Sequence, residues 1–459
     1  MPNFFIKIIG ATFLTTCLSA CAGDGSNSDS TTVTETKKIK AIVVGAGIAG
    51  LKAAHDLKAQ GMDVTVLEAQ EKVGGRLKVN RSLGLPFDEG ASWIHGSNSN
   101  HPITKLAGVS GLKLFETLDD NVAIYDTNGE EYTEQVTNSA NTLFENTLDE
   151  VRDEGSTDRS FKSVFDEISP QFYNNRIRDY MLSAYLEFNI GGDITKLSSS
   201  EFDTDEAFDG KEQLVTNGYD NLALYFAKDL NVITKAIVNR IDYSSNLVKV
   251  STADGKIYEA DKVVVAVPLG VLKKNKIKFI PDLPTYKQDV INRMHMGNVN
   301  KFLVKWDKTF WDNQLQYIGY TADAKGRFNY FLNVNKFAPN SNALMTFAFG
   351  DEADVTEKQT DDQIINEIVT NLRNIYGDAV PQQKPKLLRT KWRENQFTFG
   401  AYSFVGVGST TNDFATIATP VQNKIYFAGE HTSTEYRGTV HGAYLSGERA
   451  AKQISGVIK

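Results

Sequence analysis

The chain has 459 residues, a formal net charge of −8 at pH 7 and a hydrophobic fraction of 41%. Because this mild acidity comes without a basic run, nucleic acid is not expected as a partner. The two cysteines are Cys17 and Cys21, so the chain beyond them has no disulfide, cysteine metal site or cysteine nucleophile. That remainder is too long for a single core and fits two domains.

The first twenty residues have the pattern of an export signal. Lys7 provides the positive start, and the apolar run over 8–18 is too short to span a bilayer. The sequence LSAC, ending at Cys21, resembles the lipobox of bacterial lipoproteins; an ordinary secretory signal with a chance cysteine is the alternative. We therefore predict a signal peptide (1–20), a lipid anchor on Cys21 and a flexible polar tether (21–37). The protein would be exported and anchored on the periplasmic or outer-membrane side.

A dinucleotide-binding pattern follows the tether, in KAIVVGAGIAGL. Gly45 makes the tight turn, Gly47 lets the backbone approach a pyrophosphate, and Gly50 permits close packing of helix on strand. The phosphates would lie at a helix N-terminus, where free N–H groups and the helix dipole favour anions. The next strand ends at Glu68, whose carboxylate can accept hydrogen bonds from a ribose hydroxyl. Taken alone, this block also leaves an NAD enzyme open.

The middle of the chain alternates between helical and extended patterns. The segment from Phe144 to Phe188 is mainly helical by its periodicity. Asn231 to Pro268 predicts a strand, a hairpin around Asp254-Gly255 and a buried valine-rich strand. Residues 296–350 are rich in aromatic and alternating residues and predict antiparallel strands with one solvent-exposed face. A helix is predicted from Thr356 to Tyr376.

A second block near the C-terminus, IYFAGEHTSTEYRGTVHGAYLSGERAA, changes the interpretation of the first. Four further blocks stand between the two: DEGASWIHG (88–96), VVVAVPLGVL (263–272), MGNVNKF (296–302) and FGAYSF (399–404). In this order the six blocks resemble the flavin-containing amine oxidases, the family of monoamine oxidases, polyamine oxidases and the histone demethylases that share their catalytic domain. The resemblance runs from about Lys38 to the C-terminus and implies FAD as the cofactor.

The resemblance also implies the architecture. The fold class is α/β (α+β overall), with a Rossmann-like FAD-binding domain built from discontinuous segments. A substrate domain with an antiparallel or mixed sheet and helices is inserted into it. The FAD-binding domain is predicted at 38–115, 212–295 and 390–459, and the substrate domain at 116–211 and 296–389.

Residues at the family's cofactor positions carry over one by one. The backbone of Val238 is expected at the adenine, Glu430 at the ribityl chain, Arg76 beside the flavin or pyrophosphate, and Trp392 in the pocket wall beside the flavin. Because Ala401 stands where monoamine oxidases have a flavin-linked cysteine, we expect FAD to be bound noncovalently. The predicted cofactor-binding residues are Gly45, Gly47, Gly50, Glu68, Gly74, Gly75, Arg76, Val238, Trp392, Gly429, Glu430 and Thr439.

Four residues are expected to act on the substrate. Lys301 matches the family's lysine that holds a water at flavin N5; the alternative is a surface lysine on a strand edge. Tyr402 matches an aromatic residue at the substrate face, or else is a core tyrosine. Thr439 stands where monoamine oxidases have a second tyrosine, which points away from arylalkylamines. His95 resembles a histidine near the substrate nitrogen in polyamine oxidases, or else is structural.

These residues favour an FAD-dependent oxidase that converts a polyamine to an imine and reduces O2 to H2O2. The partners are then a small-molecule amine and O2, with membrane contact through the lipid anchor only. No metal site is predicted, since the histidines lack metal spacing. An L-amino-acid oxidase, for which Arg393 or Arg437 could bind a carboxylate, an amine dehydrogenase with another acceptor, and a non-catalytic flavin-bound surface module stay open.

Overall fold

The structure is a computed structural model that describes residues 38–170 and 175–456. The predicted signal peptide (1–20), the lipidation site Cys21 and the predicted tether (21–37) lie outside the described residues. Among the residues that are described, no helix has the length and apolar content needed to cross a membrane.

Strands and helices are numbered here in chain order. The strands are β1 (Lys40–Val44), β2 (Asp63–Leu67), β3 (Val79–Asn80), β4 (Phe87–Asp88), β5 (Trp93–Ser97), β6 (Leu114–Glu116), β7 (Val122–Tyr125), β8 (Lys211–Val215), β9 (Asn231–Ile233), β10 (Val238–Asp242), β11 (Val248–Thr252), β12 (Ile257–Ala260), β13 (Lys262–Val265), β14 (Lys278–Ile280), β15 (His295–Met296), β16 (Val299–Lys305), β17 (Tyr317–Tyr320), β18 (Arg327–Asn333), β19 (Ala343–Phe349), β20 (Lys386–Arg389), β21 (Ser403–Phe404) and β22 (Ile425–Phe427). The α-helices are α1 (Ile48–Ala59), α2 (Pro102–Ala107), α3 (Glu134–Glu154), α4 (Phe161–Ile168), α5 (Arg176–Met181), α6 (Phe188–Ile190), α7 (Asp220–Ala227), α8 (Leu269–Lys273), α9 (Thr285–Arg293), α10 (Gly350–Lys358), α11 (Asp361–Tyr376), α12 (Thr411–Ala418) and α13 (Val440–Ser455). A π-helical turn, Leu182–Glu187, joins α5 to α6.

Five strands from distant parts of the sequence form a parallel sheet in the order β22-β13-β1-β2-β9. The central strands are short, aliphatic and buried, as expected for a sheet covered on both faces. Because the strands run in one direction, their carboxyl ends meet at one edge. On one side α1 packs against α13, where a Cβ on Gly447 would lie 2.2 Å from the carbonyl oxygen of Ala49. This sheet confirms the Rossmann-like part of the predicted fold.

A second sheet, in the order β20-β16-β19-β18-β17-β7, is antiparallel except for the parallel pair β17–β7. The prediction of one solvent-exposed face is wrong, because every residue of β19 is buried and β16 has only one half-buried residue. Alternate side chains enter two different cores. Phe302 packs in a cluster with Ile368 of α11, whereas Leu303 packs in a cluster that includes Tyr180 of α5. The sheet therefore lies between two helical layers.

The helical segment between β7 and β8 contains α3, α4, α5, the π turn and α6, which confirms its predicted character; its first helix already begins at Glu134. The single helix predicted from Thr356 to Tyr376 is wrong, because α10 ends at Lys358 and α11 begins at Asp361. Thr360 is the N-cap of α11 and forms a capping box with Gln363. The Thr360 side chain accepts from the N–H of Gln363, and the Gln363 side chain accepts from the N–H of Thr360. This reciprocal pair satisfies two otherwise free N–H groups and fixes the break.

Two smaller sheets complete the positions that matter for the site. The predicted hairpin around Asp254-Gly255 is present as β11 and β12, in a sheet with the order β12-β11-β10-β14. A three-stranded sheet in the order β5-β8-β6 brings the DEGASWIHG block beside residues 211–215. By their contacts, the residues from Ile39 onward form one unit. The division into an FAD-binding domain and a substrate domain stays a prediction.

Candidate active site

The glycine turn after β1 lies at the carboxyl edge of the parallel sheet. Gly45 has a φ of +103°, and a Cβ there would lie 2.8 Å from the carbonyl oxygen of Ala266. Gly50 packs on the same turn, since its Cβ would lie 2.0 Å from the carbonyl oxygen of Gly45. Gly47 caps α1 without a side-chain hydrogen bond, and a Cβ there would meet no atom within 4 Å. The N-terminus of α1 therefore faces open space with N–H groups that lack intrahelical partners, which suits a pyrophosphate.

The Gly74-Gly75 pair lies directly against this turn. The N–H of Gly74 donates to the carbonyl oxygen of Ala46 at 2.8 Å, and a Cβ on Gly75 would lie 3.4 Å from the Cα of Gly47. Both glycines have positive φ, +112° and +56°. The chain is thus held flush against the turn, in a backbone conformation that suits glycine. Their predicted contact with the cofactor stays a prediction.

Glu68 lies at the end of β2, on the same edge. Its Oε2 accepts from the N–H of Ala46 at 2.7 Å and its Oε1 from the N–H of Gln70 at 2.8 Å. Burial raises the pKa of this carboxyl, and the two backbone hydrogen bonds partly offset that shift. The N–H of Ala236 donates to the carbonyl oxygen of Glu68 at 2.8 Å, which brings the start of β10 with Val238 next to the acid. The structure thus places the predicted ribose and adenine residues together.

The glycines of this turn allow folding and cofactor binding to be separated by mutation. We expect Gly50→Ala to lower the free energy of unfolding by about 1–3 kcal/mol, because the new Cβ would collide with backbone. Gly47→Ala should leave the free energy of unfolding nearly unchanged, because the φ of −72° suits alanine and the new Cβ enters open space. It should nevertheless weaken FAD binding, because that space is where the pyrophosphate would lie. Denaturant unfolding and flavin absorbance per protein check both. A Gly47→Ala protein with full flavin content would contradict the assignment.

Arg76 and Glu430 form an ion pair between the first and last blocks. The Nη1 of Arg76 donates to Glu430 Oε1 at 2.8 Å and to the carbonyl oxygen of Ala401 at 2.7 Å. The other oxygen of Glu430 accepts from Ser403 Oγ at 2.5 Å and from the N–H of Gly438 at 3.1 Å. Burial alone raises the pKa of Glu430, but the charge of Arg76 and the hydrogen bond from Ser403 bring it below its ordinary value. Glu430 is therefore a buried, ionised carboxylate whose two oxygens are both held by hydrogen bonds.

Lys301 lies on β16, between β20 and β19, and is 6% exposed, so the surface alternative is wrong. Its Nζ donates to the carbonyl oxygen of Asp88 at 3.2 Å, to the carbonyl oxygen of Gly90 and to Ser92 Oγ. The three acceptors match the three N–H bonds of an ammonium. The Nζ also lies 5.6 Å from the centre of the Trp93 ring. Burial lowers the pKa of Lys301, and the carboxyl of Asp88 offsets part of this shift.

The segment 88–92 connects Lys301 to the Arg76–Glu430 pair. A Cβ on Gly90 would lie 1.8 Å from the carbonyl oxygen of Arg76, so the two backbones are in contact. Trp392 Nε1 donates to the carbonyl oxygen of Glu89 at 3.1 Å. Three predicted site residues from distant parts of the sequence, Arg76, Lys301 and Trp392, thus meet on one short segment.

Tyr402 lies close to the residue that precedes Thr439, because a Cβ on Gly438 would come within 3.3 Å of the Tyr402 ring. Tyr402 is half-buried, and its hydroxyl donates to the carbonyl oxygen of Phe188 at 2.7 Å. Thr439 is the N-cap of α13, where its Oγ1 accepts from the N–H of Gly442 at 2.9 Å. The Thr439 hydroxyl is therefore engaged in capping, and its predicted contact with the substrate stays a prediction.

The hydroxyl of Tyr402 provides a second test. Tyr402→Phe keeps the ring and removes one hydrogen bond, so we expect a loss of about 1 kcal/mol in the free energy of unfolding and full flavin retention. Chemical denaturation and desalted flavin content measure both quantities. Loss of FAD in this variant would show that the hydroxyl serves the cofactor instead of Phe188.

His95 is exposed on β5 and pairs with a residue that the sequence analysis did not select. Its Nδ1 lies 2.6 Å from Glu212 Oε2, and Glu212 Oε1 accepts from the N–H of Gly96 at 3.0 Å. Glu212 lies near a second acid, because burial and then the charge of Glu212 raise the pKa of Asp119. His95 therefore contacts Glu212, which lies near Asp119. Arg76, Lys301 and Trp392 instead meet on the segment 88–92.

A model of the family described as flavin-containing amine oxidoreductase matches residues 48–455. The chain belongs to this family. The amine oxidoreductase is 34% identical over 431 residues to Polyamine oxidase 4 of Oryza sativa subsp. japonica, covering 90% of this chain and 88% of that protein. It is 33% identical over 437 residues to Polyamine oxidase 2 of Arabidopsis thaliana, covering 91% and 88%. A solved putrescine oxidase double mutant, from a structure-based redesign of cofactor binding, superposes with a TM-score of 0.76 at 20% identity and covers 91% of this chain and 99% of that one.

FAD is the cofactor of this amine oxidoreductase, and the residues present fit it. Open space faces Gly47 at the N-terminus of α1, where a pyrophosphate would lie, and Glu68 keeps free lone pairs for a ribose. Next to Glu430, both ring nitrogens of the fully buried His431 lack a hydrogen-bond partner within 38–170 and 175–456. In that same part of the chain, no group of three His, Cys, Asp or Glu side chains could hold a metal ion.

Proposed function

We propose that this enzyme oxidises a polyamine at a carbon next to nitrogen, giving an imine that hydrolyses to an aldehyde and an amine, with O2 reduced to H2O2. FAD would accept the hydride equivalent that leaves this carbon. Noncovalent binding of FAD is part of the proposal. Ala401, next to Tyr402, stands at the position where monoamine oxidases have a flavin-linked cysteine, and the two cysteines of this chain are Cys17 and Cys21. The two polyamine oxidases at 34% and 33% identity support the choice of substrate class.

The observation that carries the proposal is a half-buried aromatic surface beside Lys301. Trp93, Tyr185, Phe188 and Tyr402 each keep accessible area, and the ring centres of Trp93 and Phe188 are 6.0 Å apart. Apolar walls lower the pKa of an ammonium, and the neutral amine is the form that can stabilise an iminium. The same rings can pack on the methylene segments of a long aliphatic amine.

Two carboxylates border this surface. Burial and then the charge of Asp119 raise the pKa of Tyr185, so Asp119 lies close to the aromatic rings. Glu212 lies near Asp119 and pairs with His95. A polyamine retains further ammonium groups after one nitrogen has lost its proton, and carboxylates beside aromatic rings attract such charges.

The side chains have separate tasks in the proposed mechanism. Lys301 stabilises negative charge that develops beside it. Because all three of its N–H bonds are taken by Asp88, Gly90 and Ser92, it acts on a water only through the Ser92 hydroxyl. His95 accepts a hydrogen bond from the amine, and Tyr402 limits the substrate face. Thr439 is smaller than a tyrosine and leaves room for an unbranched chain. Arg76 and Glu430 hold the cofactor and take no proton from the substrate.

An L-amino-acid oxidase is less well supported, because the arginines considered for a substrate carboxylate are engaged. Arg393 donates to Asp354 and to the carbonyl oxygen of Met296, each at 3.1 Å. Arg437 donates to Thr204 Oγ1 at 3.1 Å and to Asp205 at 3.2 Å.

An anaerobic titration of the holoenzyme tests the proposal. Spermine, spermidine, putrescine, N-acetylated polyamines, arylalkylamines and L-amino acids are added in turn while the visible spectrum is recorded. Bleaching by one polyamine class, followed by return of colour and H2O2 release in air, is the expected result. Bleaching without rapid return of colour would identify a dehydrogenase with another acceptor. A yellow protein that no amine bleaches would overturn the polyamine assignment and favour a non-catalytic flavin-bound module.

Export and lipid anchoring are a separate proposal that rests on the sequence of the N-terminal segment alone. The LSAC sequence that ends at Cys21 and the polar residues after it support an anchored protein on the periplasmic or outer-membrane side. Expression with labelled palmitate should label the wild-type protein and leave Cys21→Ser unlabelled. Equal recovery of unlabelled wild type in the soluble fraction would contradict anchoring.

A further inference from the structure

A small cavity lies beside the segment 88–92, and its lining includes Ser92, which accepts a hydrogen bond from Lys301. It has a volume of about 20 Å3, which is enough for one ordered water. Nine of the twelve residues that line it are apolar, and the three polar ones are Asp88, Ser92 and Thr216. Thr216 is half-exposed, so the cavity extends from the protein surface to the residues that hold the lysine.

Ser92 is the partner of Lys301 that can pass a proton. The other two acceptors of the Nζ, at Asp88 and Gly90, are backbone carbonyl oxygens, which cannot donate. The hydroxyl of Ser92 accepts from Lys301 at 2.5 Å and has a proton of its own to give. Because Ser92 also lines the cavity, its hydroxyl joins the lysine to the space in which a water would lie.

Asp88 supplies a titratable group on the same cavity. Its Oδ1 accepts from the N–H of Tyr219 at 2.9 Å, and the residue is 7% exposed. Burial raises the pKa of this carboxyl, whereas that hydrogen bond and Lys301 lower it. The further charges that act on it are Asp220 and Arg81, which form an ion pair at 2.8 Å. Asp88 is therefore a buried acid next to a buried base.

We propose that Ser92, one water in this cavity and the Asp88 carboxyl form a chain that exchanges the proton of Lys301 with solvent. The proposal rests on the role assigned to Lys301 in the proposed function. Reduction of O2 to H2O2 requires two electrons and two protons, and a hydride equivalent from the amine brings both electrons and one proton. Lys301 gives the second proton to the reduced oxygen, Ser92 gives its own proton to Lys301 and takes one from the water, and protonated Asp88 restores the water and then takes a proton from solvent.

The test uses holoenzyme whose flavin has been reduced by light, so that no amine is needed. Air is then admitted, and the return of colour is timed in H2O and D2O. We expect Ser92→Ala and Asp88→Asn to slow this step by about tenfold or more and to increase the solvent isotope effect, because proton transfer becomes limiting. Val334→Leu, which fills the cavity and keeps Ser92 and Asp88, should slow reoxidation as well. Ser97→Ala removes another buried hydroxyl, at the end of the strand that follows Ser92, and should leave the rate unchanged.

A titration of the resting spectrum adds a readout that does not depend on turnover. The flavin bands should shift with pH as Lys301 loses its proton, and in Asp88→Asn the midpoint should move to lower pH, because a carboxylate that favours the ammonium is gone. If Asp88→Asn binds no flavin, the reoxidation rates of Ser92→Ala and Val334→Leu decide whether the proposed chain operates. Rates within twofold of wild type in Ser92→Ala and Val334→Leu overturn the proposed chain. Amine-dependent bleaching is measured separately and decides the proposed function.

Discussion

Replacing Arg76 by methionine is expected to lower the free energy of unfolding by about 3–5 kcal/mol and to release FAD. The side chain of Glu430 is 4% exposed, and that of Arg76 is 23% exposed. Without the arginine, the carboxylate of Glu430 stays buried with no positive charge to offset it, and Ala401 loses the donor on its carbonyl oxygen. Denaturant unfolding followed by circular dichroism gives the free energy, and absorbance after desalting gives the flavin content.

Arg81→Met is the matched control for this change. Arg81 also makes an ion pair, with Asp220, but the two side chains are 46% and 22% exposed, so the loss should stay below about 1 kcal/mol with full flavin content. In the Arg76→Met background, Glu430→Gln should recover part of the stability, because it removes the uncompensated charge. Equal losses in Arg76→Met and Arg81→Met would contradict a special role for the buried pair.

Lys301→Met is expected to keep FAD and to slow flavin reduction or reoxidation by roughly tenfold or more, the effect of losing one electrostatic stabiliser. The ammonium is the active form in this role. Since burial lowers the pKa of Lys301, the wild-type rate should fall as pH rises through a range below that of an ordinary lysine. In Lys301→Met this fall should be absent. Stopped-flow measurement of both half-reactions across pH checks the prediction.

Lys305→Met controls for the loss of a lysine from the same strand. Lys305 lies at the end of β16, is half-buried and donates to the carbonyl oxygen of Ser341, away from the segment 88–92. Both half-reactions should proceed at the wild-type rate in this variant. If Lys301→Met also shows near-normal rates in both half-reactions, Lys301 has no part in the mechanism.

The parts of the fold that were predicted correctly depend on local sequence. The glycine turn at Gly45 and the acid at Glu68 follow from a strand, a turn and a helix within one short stretch. The errors also have local causes. Phe302, Leu303 and Val304 are three apolar residues in succession, which is typical of a strand buried on both faces. The alternating aromatic residues around them favour the wrong prediction of one solvent-exposed face. The pair Thr360 and Gln363 has the spacing of a capping box, which is the sequence signal for the start of α11.

The partners inside the site could not be predicted, because they are distant in sequence. Lys301 and Ser92 are 209 positions apart, and His95 and Glu212 are 117 apart. A single sequence carries no signal for which carbonyl oxygens or carboxylates such side chains will meet. Ser92 lies inside the block DEGASWIHG, yet nothing in that block marks its hydroxyl as the partner of a lysine on a distant strand.

The ion pair between Arg76 and Glu430 closes a loop of 354 positions, and β22 completes the parallel sheet only after nearly all of the chain is present. Closing so long a loop is entropically costly, and folds that depend on distant contacts form slowly. A nascent chain that still lacks β22 therefore has no finished cradle for FAD and displays unfinished surface to proteases. Because FAD binds the finished cradle and not the unfinished one, free cofactor should stabilise the folded state by mass action.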